Sequence, residues 1–183
     1  EIDPNGNTWS YSYDAIDRLL SIQDPLGQIQ SYSYDKNDNV TTIKDKKERL
    51  FSYSYDGLNR LVKATDPNEK SLEMSYDKVG NVISIKDRLG NVVKREYDAG
   101  YALTAVVDSL GNRRTFEYDA GARLTAETDE LGNKTRYEYD TNDNLTKIMN
   151  PASCCNSSEF SYDSYGNVKS IKDALGTTRE YSY

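Results

Sequence analysis

The feature that most constrains this chain is a motif that returns every 21 residues. The dipeptide Tyr-Asp occurs eight times, at spacings of 21 residues six times and then once of 23. These pairs are Tyr13-Asp14, Tyr34-Asp35, Tyr55-Asp56, Tyr76-Asp77, Tyr97-Asp98, Tyr118-Asp119, Tyr139-Asp140 and Tyr162-Asp163. Such self-similarity predicts a single array of about eight repeats over residues 1–183, with a two-residue insertion near 150–156.

Other positions repeat in phase with the motif. An aromatic residue usually stands two residues before the motif tyrosine, with Met74 and Arg95 as exceptions. Asn or Arg usually follows the motif aspartate by four residues, and Leu or Val comes next. A second Asp usually follows the first by ten residues, and five repeats add a glycine three residues later: Gly27, Gly90, Gly111, Gly132 and Gly176. The repeat is therefore defined along its whole length.

Each repeat predicts two strands separated by turns. Over residues 28–34, Tyr32 and Tyr34 share one face and serines occupy the other, which is the alternation of a half-buried strand. In the second run Val82 and Ile85 are three apart, which indicates either a bulge or burial on both faces. Strands about every ten residues predict an all-β fold, an antiparallel meander of repeated β-hairpins with some sixteen strands.

The turns have a clear chemical basis. An aspartate that opens a turn can accept hydrogen bonds from the backbone N–H groups just ahead, and Gly, Asn or Asp tolerates the positive φ of a tight hairpin. The connections Asp45–Glu48 and Asp66–Glu69 lack the glycine, so we expect them to be more irregular. Turn capping by single aspartates is favoured over calcium binding, because calcium needs six to eight converging oxygens.

Composition excludes several classes of function. Lys and Arg total 23 against 30 Asp and Glu, and the resulting charge of -7 argues against a nucleic-acid partner. The chain has no histidine, which removes the commonest general base and metal ligand. No apolar run reaches the roughly 18 residues of a membrane span. We therefore predict no enzymatic activity, no metal, no cofactor and no membrane partner. The adjacent Cys154 and Cys155 are either two free thiols or a strained bridge.

The 21-residue unit resembles the YD-repeat, or Rhs (rearrangement hot spot), family. The resemblance rests on Tyr-Asp, on the Asn or Arg before Leu or Val, and on Asp-x-Leu-Gly, and it covers essentially the whole chain. It implies hairpins joined into a long strip that spirals into a hollow shell. Shells of this family enclose a C-terminal toxin domain in bacterial polymorphic toxins and insecticidal toxin complexes, and similar shells occur in wall-associated proteins and teneurins.

The resemblance implies that this chain is a fragment of a larger secreted or cell-surface protein from bacteria. Its partners would be neighbouring repeats of the parent chain and an enclosed cargo domain. The alternative function is an extracellular binding or adhesion module that recognises a glycan or a protein through its tyrosine-rich surface. Open strand edges near residues 9–13 and 180–183 also predict edge-to-edge self-association of the fragment.

Overall fold

The computed structural model describes residues 2, 4, 6–151 and 157–183. Most of the predicted insertion, including Cys154 and Cys155, lies outside the described residues. The described part contains seventeen strands and no helix. The strands are β1 (Ser10–Tyr13), β2 (Leu19–Gln23), β3 (Ile29–Tyr34), β4 (Val40–Lys44), β5 (Leu50–Tyr55), β6 (Leu61–Thr65), β7 (Ser71–Tyr76), β8 (Val82–Lys86), β9 (Val92–Tyr97), β10 (Leu103–Val107), β11 (Arg113–Tyr118), β12 (Leu124–Thr128), β13 (Lys134–Tyr139), β14 (Leu145–Met149), β15 (Ser157–Tyr162), β16 (Val168–Lys172) and β17 (Thr178–Glu180).

The chain divides into two compact units, residues 1–92 and 93–183. In the first unit β1 to β8 pair in chain order, each antiparallel to the next. In the second unit β10 to β17 do the same, and β9, which begins at the boundary, pairs with β10. The predicted all-β meander of hairpins is confirmed.

Every Tyr-Asp hairpin contains a β-bulge at the same position. In one hairpin Tyr76 pairs with Val82, but Ser75 pairs with Ser84, so Ile83 is an extra residue on β8. The equivalent extra residues are Leu20, Thr41, Val62, Thr104, Thr125, Thr146 and Lys169. The bulge explains why the aliphatic residues are three apart, because the extra residue reverses the alternation within the strand.

Pairing across the strands of the first unit separates an apolar face from a polar face. Tyr32 lies opposite Ile43, which in turn lies opposite Phe51. The adjacent pair Ser33 and Thr42 belongs to the other face, since successive side chains point to opposite sides. We call the first surface, which also carries the motif tyrosines, the tyrosine face.

The polar face carries cross-strand ion pairs. In the first unit Glu73 lies 3.8 Å from the Nζ of Lys63 and 3.5 Å from that of Lys86. In the second unit Glu159 is flanked in the same way by Lys147 and Lys172, at 3.7 and 3.4 Å. Such exposed pairs each stabilise a protein by less than about 1 kcal/mol, so they mainly favour the observed strand register.

Very little of the chain is fully buried. Among the described residues only Ala105 and Ala126 are buried apolar side chains, at 0% and 2% exposure. Most tyrosine-face residues are half-buried instead. Each unit is thus stabilised by many partial contacts between neighbouring strands, as in repeat proteins whose units depend on their neighbours.

The glycine-free turns are not irregular, so that expectation was wrong. Glu48 and Glu69 adopt φ of 63° and 62°. The hydrogen bond from Glu48 N to Asp45 O is 2.9 Å, the same as that from Gly27 N to Asp24 O. The aspartate at the start of each turn makes enough hydrogen bonds to hold a left-handed conformation even without glycine.

This conformational strain can be measured at Ala122, whose φ is 61°. A left-handed L-residue costs about 1–2 kcal/mol, partly offset by the greater unfolded-state entropy of glycine. We expect Ala122→Gly to raise the free energy of unfolding by about 1 kcal/mol in urea titrations. Ala120→Gly is the matched control: it lies in the same turn without a positive φ and should destabilise by about 0.5 kcal/mol. Equal effects of both substitutions would contradict the strain argument.

Candidate functional site

Each repeated aspartate accepts several hydrogen bonds within its own turn. In one turn Asp119 Oδ1 accepts the backbone N–H groups of Gly121 and Arg123, at 2.9 and 3.0 Å. Its Oδ2 accepts the Arg123 Nε–H at 2.7 Å. At the opposite end of the strands, Asp129 is bound in the same way by Leu131 and Asn133. The prediction that these aspartates accept backbone hydrogen bonds is confirmed.

These hydrogen bonds favour the charged form of the carboxylates. The pKa of Asp119 is lowered, first by the backbone N–H of Arg123 and then by its guanidinium. The Asn133 side-chain amide is the main cause of the lowered pKa of Asp129. At Asp56 and Asp77 desolvation raises the pKa, but the sum of the hydrogen bonds outweighs it. A lowered pKa is found for Asp14, Asp24, Asp35, Asp45, Asp56, Asp77, Asp87, Asp108, Asp119, Asp129, Asp140 and Asp163.

A second recurrent contact joins a repeat to the one before it within each unit. The phenol of Tyr139 donates a 2.9 Å hydrogen bond to the backbone carbonyl of Leu124, 15 residues earlier. We call this contact the tyrosine clasp. The same bond runs from Tyr34 to Leu19, Tyr55 to Val40, Tyr76 to Leu61 and Tyr118 to Leu103, at 2.8 to 3.0 Å. The acceptor is always the aliphatic residue opposite the previous motif tyrosine, next to the bulge.

The clasp persists across the longer spacing near residue 150. Tyr162 donates to the carbonyl of Leu145 at 2.7 Å, although the two are 17 residues apart. The two extra residues therefore leave the contact between these repeats intact.

Repeats with Arg after the motif aspartate add a further contact to the next repeat. The guanidinium of Arg123 stacks over the ring of Tyr139, 5.1 Å from its centroid, and donates to the Asp140 carbonyl at 3.3 Å. Its Nη1 also pairs with Asp143 at 2.6 Å. Arg18 and Arg60 stack over Tyr34 and Tyr76 in the same way, at 4.8 and 4.5 Å. Sequence reasoning grouped Arg with Asn at this position and missed this bridge.

The glycines singled out in the sequence all lie in turns with positive φ: Gly27, Gly90, Gly111, Gly132 and Gly176, at 78° to 90°. The leucine before each of them is almost fully exposed, at 85% for Leu26, Leu89 and Leu110, 88% for Leu131 and 91% for Leu175. Sequence reasoning recorded this leucine as part of the motif without assigning it a surface position. These leucines form an exposed apolar feature at the hairpin tips.

Potential metal-ligating side chains do not gather at one point in the part of the chain that the structure describes. No group of three or more His, Cys, Asp or Glu side chains that could hold a metal ion occurs in the described ranges. Tyr137 donates to Glu127 Oε1 at 2.9 Å, and burial followed by this bond raises its pKa to about 12. Its phenol is therefore protonated at neutral pH. Within the part of the chain that the structure describes, no helix has the length and apolar character to cross a membrane.

Solved structures of toxin-complex proteins have a similar fold. The crystal structure of TcdB2-TccC3 without its hypervariable C-terminal region superposes with a TM-score of 0.63 at 19% identity, covering 87% of this chain. TcdB2-TccC3 gives 0.60 at 15% identity over 90% of this chain, and the Photorhabdus luminescens Tc holotoxin pore gives 0.59 at 15% identity over 90%. The chain spans only 10–12% of the length of these proteins. A comparison with curated protein sequences found no match.

The sequence itself matches a family model. The model described as RHS Repeat matches residues 1–29, 13–50, 34–70, 76–113, 100–129 and 120–152. Together these ranges cover residues 1–70 and 76–152, which is most of the chain. With the hairpin fold and the recurrent tyrosine and aspartate contacts in place, the chain belongs to the RHS repeat family.

Proposed function

We propose that this chain is a structural segment in the wall of a β-sheet shell, and that the shell of the parent protein encloses a C-terminal toxin domain. The single observation that carries the proposal is the tyrosine clasp, which ties a repeat to its predecessor within each unit. The wall of a container must cover a large surface with few residues. A row of hairpins, each hydrogen-bonded to its neighbour, forms such an extended surface. The parent would be a secreted or cell-surface protein of bacteria.

The surface of the chain supports a structural role. The polar groups of the repeat motif form hydrogen bonds within the chain. The aspartates accept bonds from backbone N–H groups of their turns, and the clasp phenols donate to backbone carbonyls. A catalytic site would need polar side chains directed at a substrate. We therefore propose that the segment is non-enzymatic and works without a cofactor.

The exposed leucines support placement within a larger assembly. In the second unit Leu110, Leu131 and Leu175 are each at least 85% exposed, at turns on the same edge of the strands. Isolated exposed leucines are ordinary, but a repeated set at equivalent positions is typical of a surface that another element covers. In a shell, that element would be a further part of the parent protein's wall.

The parent protein provides the direct test of a container. We expect limited proteolysis of the full-length protein to leave the repeats and a C-terminal domain intact together. Mild denaturation of the repeats should release that domain to the protease, as mass spectrometry of the surviving fragments would show. Digestion of the C-terminal region at once, with the repeats still folded, would overturn the proposal.

The binding-module alternative stays a prediction and is less well supported. Sugar-binding aromatic side chains present an open ring face and a nearby polar group. Several motif tyrosines instead lie beneath an arginine or use their hydroxyl in a clasp. Specific binding to a glycan array by the folded chain would revive this alternative.

A further inference from the structure

The first unit contains a cleft of about 360 Å³ beside the turn that joins β6 to β7. Its lining comes from the start of β5, from that turn and from the turn after β8, and consists of Arg49, Phe51, Asp66, Pro67, Asn68 and Arg88. The volume lies at the lower end of the roughly 300–1,000 Å³ that is usual for ligand sites. A cleft of this size can admit a small molecule or the end of a peptide.

The cleft lies where the sequence departs from its own repeat. Five other turns of this kind have an almost fully exposed leucine followed by a glycine, whereas this turn has Asn68 and Glu69. Three equivalent turns have asparagine at the position of Arg49. Local departures from an otherwise consistent pattern are expected at functional sites. The combination of side chains in this cleft is therefore not a general property of the array.

Two guanidinium groups in the lining have donors to spare. Arg49 binds Asp45 through its Nε and Nη2, at 2.7 and 2.6 Å, and its Nη1 has no partner among the described residues. The Nε of Arg88 lies 3.3 Å from Asp66 Oδ2, and neither Nη of Arg88 has a partner in the described ranges. Both side chains are about half exposed, at 56% and 53%. A carboxylate could reach these groups and accept paired N–H bonds from them.

The rest of the lining selects the body of the ligand. Phe51 and Pro67 contribute an aromatic ring and an aliphatic ring, which favour contact with an apolar group. The lining side chains carry two positive charges against the single negative charge of Asp66, in a chain whose net charge is -7. This combination disfavours a cation and gives a fully hydrated inorganic anion little apolar contact.

We propose that this cleft binds a small apolar carboxylate, such as an aromatic acid. The carboxylate would accept hydrogen bonds from Arg49 and Arg88, and the apolar body would lie against Phe51 and Pro67. A free acid and the carboxyl terminus of a peptide that ends in an apolar residue offer the same chemistry. The site lies within one unit of the chain and does not depend on what the parent protein encloses.

Matched pairs of probes test the need for a carboxylate. Benzoate represents a free acid and N-acetylphenylalanine a peptide end, while benzamide and N-acetylphenylalaninamide are neutral compounds of similar shape. In NMR titrations we expect at least one acid to give saturable shifts of the Asn68 and Arg88 backbone amides. Its neutral partner should bind about tenfold more weakly. The tighter of the two acids shows which source of the carboxylate the cleft prefers.

Arg49→Asn removes one guanidinium group while preserving its turn. In an equivalent turn Asn91 donates to Asp87 Oδ2 at 2.7 Å, so asparagine can replace arginine as the partner of Asp45. We expect the variant to bind the preferred acid about tenfold more weakly with little change in its urea midpoint. Arg113→Gln is the control, because it removes an ion-paired arginine of similar exposure, 46%, from the second unit. It should leave binding unchanged.

The second guanidinium group needs a double variant. Arg88→Ser alone would deprive Asp66 of its partner, so Lys70→Asn is added to supply the amide that asparagine gives in equivalent turns. Ser109 stands at the position of Arg88 one repeat later, so serine is compatible with this turn. The double variant should weaken acid binding as Arg49→Asn does, whereas Lys70→Asn alone should have little effect.

Four results would overturn the proposal. They are the absence of shifts at the cleft with both acids, amides that bind as tightly as the acids, acetate that binds as tightly as benzoate, and an Arg113→Gln variant that loses as much affinity as Arg49→Asn. The first two would exclude a carboxylate site, the third would remove the apolar contact, and the last would reduce the effect to net charge.

Discussion

Replacement of Tyr139 by alanine should lower the free energy of unfolding by about 3 kcal/mol, at the lower end of the range for removal of a large aromatic side chain. The ring is half-buried, lies beneath the Arg123 guanidinium and carries the phenol that binds Leu124. Its loss removes apolar contact, a cation–π contact and a hydrogen bond between repeats at once. Urea unfolding followed by circular dichroism would measure the change.

Tyr139→Phe separates the phenol from the ring. It keeps the stacking with Arg123 and removes only the clasp, so we expect a loss of about 1 kcal/mol. Tyr165→Phe is the control, because Tyr165 is 89% exposed and lies in a turn, and its effect should be within about 0.5 kcal/mol of zero. A Tyr139→Phe variant as stable as the unmodified chain would show that the clasp does not stabilise the array.

Acid should unfold the chain, because twelve turn aspartates have a lowered pKa in the folded state. A carboxylate with a lowered folded-state pKa stabilises the fold above its unfolded pKa of 3.8. That contribution is lost as the pH falls through the lower folded value. The urea midpoint should therefore be steady near neutral pH and fall steeply below about pH 4.

Asparagine variants show whether the turn aspartates are responsible. Asp108→Asn and Asp129→Asn retain an Oδ1 that can accept the two turn N–H groups but do not titrate. Their partners on Oδ2 are the amides of Asn112 and Asn133, not a guanidinium. We expect the double variant to be less stable at neutral pH and to lose less stability in acid. A urea midpoint that is level from about pH 6 to about pH 2 in the unmodified chain would contradict this account.

The backbone plan of this fold could be predicted well from the sequence, because each local signal agrees with the period. The alternation of aromatic and polar residues before most motif tyrosines predicted the first strand of the hairpins, and the repeated Asp predicted their turns. The second strand was harder, since the spacing of Val82 and Ile85 fits a bulge and two-sided burial equally well. The register of Tyr76 with Val82 decides in favour of the bulge.

The contacts between repeats could not be predicted, for a physical reason. Periodicity identifies which positions are equivalent but not which atoms meet across a hairpin. The bond from Tyr139 on β13 to the Leu124 carbonyl depends on how far a phenol reaches over the end of the adjacent strand β12. The left-handed Glu48 was missed because single-residue propensity disfavours it, while the bonds of Asp45 outweigh that preference.

The tyrosine clasp also bears on how such genes change length. Each clasp crosses one repeat boundary, so recombination that adds or removes a whole 21-residue unit leaves every remaining phenol facing an equivalent carbonyl. A change of any other size within a strand would misplace all the contacts at that boundary. The bond from Tyr162 to Leu145 shows that a change confined to a connection is tolerated. Arrays of this kind can therefore evolve in whole repeats, with fine variation restricted to their turns.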